Sequence, residues 1–68
     1  MKSTRIKRLK TLQHLARKHG GQIELIYLVN LGVWSGKFYY PENKVIGISR
    51  DTFNGMLQAL HTKVRSEL

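Results

Sequence analysis

Apolar positions recur at helical spacing in the first part of the chain. Over residues 4–19, Ile6, Leu9, Leu12, Leu15 and Ala16 share one half of a wheel drawn at about 100° per residue. Lys7, Lys10, His14, Arg17 and Lys18 occupy the opposite half. Arg5 and Arg8 fall near the apolar edge, where long stems can carry their charges outward. Ser3 or Thr4 can cap the start of this helix, and Gly20-Gly21 can stop it.

The period then drops to two. Ile23, Leu25, Tyr27 and Val29 alternate with Glu24, Ile26, Leu28 and Asn30, and apolar residues on both sides predict a central strand. The chain turns at Asn30-Leu31-Gly32 or at Ser35-Gly36. A second strand covers Lys37 to Tyr40, starting as early as Val33. Pro41-Glu42-Asn43-Lys44 has the chemistry of a tight turn, and Val45 to Ile48 forms a third strand.

A second helix is expected over residues 50–66, capped by Ser49 or Asp51. Phe53, Met56, Leu57, Leu60, Val64 and Leu68 form its apolar stripe. Gly55 lies off that stripe and should cost about 1 kcal/mol relative to alanine. The predicted fold is α+β, with the order α-β-β-β-α in a single two-layer domain spanning residues 1–68. Two helices cover one face of a three-stranded antiparallel sheet (residues 22–48), and the other face stays open.

Size and charge narrow the function. Sixty-eight residues without cysteine leave no room for a separate cofactor domain, a disulfide framework or a thiolate zinc site. The net charge is +8, from 12 Lys and Arg against 4 Asp and Glu. Seven of those cations and none of the acids lie in residues 1–19. Charges on a solvated face ordinarily mix in sign, so this helix calls for an anionic partner. An acid-poor, Arg-containing amphipathic segment also matches a mitochondrial presequence. In so small a domain, however, its apolar side is needed for the core. No apolar run approaches the roughly 20 residues of a membrane span, and a cytoplasmic protein without membrane contact is expected.

The residues offer little for catalysis. No serine sits in a Gly-x-Ser-x-Gly elbow. His14 and His19 are five apart, off the spacing of a helical metal pair, and His61 lies on the polar side of the last helix. The glycines match neither the P-loop nor the dinucleotide pattern. A non-enzymatic protein without cofactor or metal is therefore expected.

Binding chemistry is better represented. Lys7, Lys10, Arg17 and Lys18, with His14 among them, can neutralise phosphates and release counterions. If the second strand is continuous, Trp34, Phe38 and Tyr40 share one sheet face, while Lys37 and Tyr39 share the other. One set must pack on the helices, and the other can add stacking or a further charge. Lys7, Lys10, His14, Arg17, Lys18, Lys37 and Tyr39 are thus the expected nucleic-acid-binding residues, with DNA and RNA both open.

The α-β-β-β-α order resembles the double-stranded RNA-binding domain. That family carries a Gly-x-Ser-Lys-Lys stretch from its third strand into its second helix. Gly47-Ile48-Ser49-Arg50 stands at the corresponding place here, with Asp51 in place of the second lysine. The family's Gly-Pro-x-His loop has no counterpart in residues 31–36. Small mRNA-interferase toxins share the order too, but their Gly-Ser-His strand motif is missing. Trp34, Gly47 and Ala59 are similar to positions of the AP2-type integrase arm, with the spacing displaced by one. What these resemblances imply is a common topology and no family membership.

Short basic chains without a catalytic set also occur as phage or mobile-element accessory proteins. The alternative function is therefore an inhibitor or small subunit binding a host nuclease or nucleic-acid-processing complex through a strand edge or sheet face. A homodimer through the open sheet is compatible with either function.

Overall fold

The structure is a computed structural model that describes residues 4–67. Helix α1 spans Thr4–His19, as its apolar spacing predicts. The expected Ser3 cap lies outside the described residues, and Thr4 is the first helical residue. At the other end Gly20 adopts φ +71°, the left-handed conformation that glycine reaches without a Cβ penalty. The Gly21 N–H then donates to the Ala16 carbonyl at 2.7 Å. This is the closing bond of a Schellman cap, and it turns the chain directly into the sheet.

Strands β1 (Gln22–Leu28), β2 (Val33–Tyr39) and β3 (Val45–Arg50) form an antiparallel sheet in the order β1-β2-β3. The first strand is therefore an edge strand, against the expectation that its two apolar sides marked it as central. Its second apolar set is not covered by a neighbouring layer: Ile26 and Leu28 stay exposed on the open face. The central place falls to β2, which pairs Phe38 with Ile23 on one side and with Ile46 on the other.

Of the two turns the sequence offers, the chain uses the earlier one. Leu28 accepts hydrogen bonds from the N–H groups of Leu31 (3.1 Å) and Gly32 (2.8 Å). Ser35-Gly36 instead lies inside β2, and Gly36 is buried where α2 crosses the sheet. A Cβ at Gly36 would stand 2.6 Å from the Met56 Sδ and 3.1 Å from the Leu60 Cδ2. That close approach, and no turn, accounts for the glycine.

Helix α2 runs Phe53–Glu67, starting later than residue 50, because β3 continues through Arg50. Its cap is Thr52, in place of the expected Ser49 or Asp51. The Thr52 Oγ1 accepts the Gly55 N–H at 3.0 Å, and the Thr52 carbonyl accepts the Met56 N–H at 2.9 Å. A Cβ at Gly55 would lie 2.8 Å from that capping hydroxyl, which supplies a structural reason for the glycine.

Both helices lie on one face of the sheet. Leu12 and Ala16 of α1 meet Phe38, Ile46, Met56, Leu57, Leu60 and Val64 in a single buried cluster. The last expected member of the α2 stripe, Leu68, lies outside the described residues. The domain measures 32 × 30 × 17 Å, its shortest dimension that of one helix layer on one sheet.

Candidate nucleic-acid interface

The α1 cap and the α1–core contacts fix which side of the helix faces out. With Leu12 and Ala16 turned fully inward, Lys7, Lys10, His14, Arg17 and Lys18 are all exposed. No acidic residue lies in the helix. Arg17, Lys18 and His19 occupy its last turn, where cations complement the negative end of the macrodipole. Four permanent charges thus share a helical surface whose opposite side is held by the core.

Lys37 and Tyr39 do not belong to that surface. They alternate with Gly36 and Phe38, which face the helices, so they project from the open side of β2. The seven expected binding residues therefore divide between two outward faces separated by the thickness of the domain. Lys37 and Tyr39 are further distinguished by an acid. Glu24 is the cross-strand partner of Lys37, and its Oε1 accepts the Tyr39 hydroxyl at 2.8 Å. This hydrogen bond, helped by slight desolvation and by the Glu24 charge, raises the Tyr39 pKa above the usual phenol value. The open face is electrically balanced where its one lysine lies, and Tyr39 is engaged with a carboxylate.

The remaining aromatics belong to the helix side. Trp34 stacks edge-on against Phe53 at 4.8 Å between ring centroids and tilts against Tyr27 at 5.2 Å. Phe38 is fully buried and lies 5.0 Å from the Tyr40 ring. Of the aromatics on β2, only Tyr39 reaches the open face.

The histidines differ in surroundings. His14 is exposed among the cations of α1. His61 sits half-buried on α2, and its pKa is lowered, first by burial and then by the charges of Arg65 and Arg8. Arg8 of α1 is thus near enough to α2 for its charge to act on His61. Among the described residues, no group of three or more His, Asp or Glu side chains can hold a metal ion. A cavity of about 330 Å³ opens between the helix C-termini and the β2–β3 turn, lined by His19, Tyr40, Glu42, Lys44 and Glu67. The Tyr40 hydroxyl is buried without a hydrogen-bond partner, and burial, then Glu67, pushes its pKa up. Two of the four acids of the chain line this cavity, so it is no anion site.

A feature absent from the expected set is the β1–β2 hairpin. Ile26, Tyr27, Leu28, Val29 and Leu31 are all exposed there, Val29 to 78% and Leu31 to 71%. Their clustering could have been anticipated from the sequence, since Leu25 to Gly36 contains no charged residue.

No helix among the described residues is long and apolar enough to cross a membrane. No family model matches the chain, and neither curated proteins nor solved structures provide a match.

Proposed function

We propose that the protein is a small, non-catalytic nucleic-acid-binding protein that grips phosphates through the cationic face of α1. The observation that carries this reading is the placement of Lys7, Lys10, Arg17 and Lys18 on one exposed helical surface without an interleaved acid. Such a surface repels itself and is relieved when phosphates neutralise it, with release of the cations condensed on the nucleic acid. Lys37 and Tyr39 take a secondary part at most, because Glu24 offsets the one and holds the other.

Gel shifts with duplex DNA, duplex RNA and single strands at low salt test the reading. Binding to at least one of them is expected, with loss on charge reversal at Lys10 and Arg17. Failure of all three to bind would overturn it.

The exposed apolar hairpin favours a second reading, an accessory or inhibitor protein that docks on a host nucleic-acid-processing complex. An apolar surface of this kind suits a protein partner more than a polyanion. Co-purification that survives nuclease and moderate salt supports that reading. Co-purification lost with nuclease supports the first.

A further inference from the structure

The outer edge of β3 adjoins a groove of about 500 Å³ that runs between the strand and α2. Ile48, Gly55 and Ala59 give the groove a small, half-buried floor, and Arg50 and Lys63 stand exposed beside it. None of the described residues lining it is acidic. Nη1 of Arg50 donates to the Ser49 carbonyl at 2.7 Å, which uses one of the five N–H donors of the guanidinium.

We infer that this groove receives an extended acidic segment of a partner protein, which adds to β3 as a fourth strand. Two features identify the occupant. The Tyr40 N–H bond to the Lys44 carbonyl sets the even-numbered residues of β3 towards β2, so the N–H and C=O groups of Val45, Gly47 and Ser49 face the free edge. The Ser49 carbonyl already accepts from Arg50 and would be shared, and no strand lies beside the edge among the described residues. A peptide backbone satisfies both kinds of group, whereas a phosphate backbone offers acceptors alone. The cations at the groove then select carboxylates on the side of that strand that faces α2.

A second copy of this chain fits poorly in the register that pairs the two strands over their full length. Lys44 and Arg50 flank the strand at its two ends, so antiparallel pairing of β3 with itself about Gly47 sets Lys44 of one copy against Arg50 of the other. Like charges opposed across a ladder are destabilising. The groove is distinct from the cationic face of α1, because it is built from β3 and α2 alone.

The test uses amide NMR spectra of the intact protein and a capped six-residue peptide of alternating glutamate and valine, matched to the six residues of β3. The expected result is shifts along Val45–Arg50, with hydrogen exchange slowed at Val45, Gly47 and Ser49, whose amides face the free edge, and shifts at Gly55 and Ala59. N-methylation of alternate peptide amides should weaken the effect at least about tenfold, equivalent to roughly 1.4 kcal/mol. The Arg50→Glu/Lys63→Glu variant should prefer the matching lysine–valine peptide instead, and Lys63→Gln alone should weaken the glutamate peptide. The proposal is overturned by shifts confined to α1, by no shift in β3, by equal response to both peptides, or by a short oligonucleotide that moves the same β3 amides.

Discussion

His61 couples the helix seam to pH. Its pKa is lowered in the folded protein, chiefly by burial and then by Arg65 and Arg8. The unfolded chain therefore takes up the imidazole proton first as pH falls. Stability is complete above the ordinary histidine pKa of about 6.5 and declines as pH drops through the folded value. Acidification from neutral pH should lower the melting temperature, and His61→Gln should flatten that part of the profile. An unchanged profile in the variant would assign the acid sensitivity elsewhere. Gly36 is the other residue whose effect is predictable from contact. A valine there meets Met56 and Leu60 at the crossing of α2 and β2, and overpacking of this kind costs about 1–3 kcal/mol. Urea denaturation of Gly36→Val measures it, and wild-type stability would show that α2 can ride higher on the sheet.

The helices were the most legible elements, because an apolar stripe at helical spacing and a terminal glycine pair are local signals. The Schellman bond from Gly21 to Ala16 is the physical form of the Gly20-Gly21 signal. The cap of α2 was harder to read. Ser49, Asp51 and Thr52 are all competent caps; Ser49 is taken up by β3, which stays paired through Arg50 with Trp34, and it is Thr52 whose hydroxyl accepts the Gly55 N–H. Thr52→Ala should cost about 1 kcal/mol and Thr52→Ser much less, as read by thermal unfolding. Equal losses would mean that the hydroxyl does not cap. The position of β1 at an edge was not legible either. Strand order is a long-range property, and the exposed Ile26 and Leu28 give the same alternation as a buried pair. The grouping of candidate binding residues was only partly readable, since the face of β2 that meets the helices had to be known. Gly36 and Phe38 decide that, and they send Lys37 and Tyr39 away from α1.

At the scale of the molecule, the two layers separate unlike surfaces. The outer side of α1 carries Lys7, Lys10, Arg17 and Lys18, the open sheet sets its lysine across the ladder from Glu24, and the β1–β2 hairpin exposes apolar side chains without charge. A net charge of +8 describes none of these surfaces individually. The central claim is that phosphates are bound by α1, and the salt dependence of duplex binding tests it most directly. Four phosphate contacts predict a slope of log K against log salt of about −3.6, and Lys10→Gln/Arg17→Gln should reduce its magnitude by about 1.8. Lys37→Gln, on the opposite face, should leave the slope unchanged. A slope indifferent to the α1 substitutions, or one that responds to Lys37 in their place, would contradict the account.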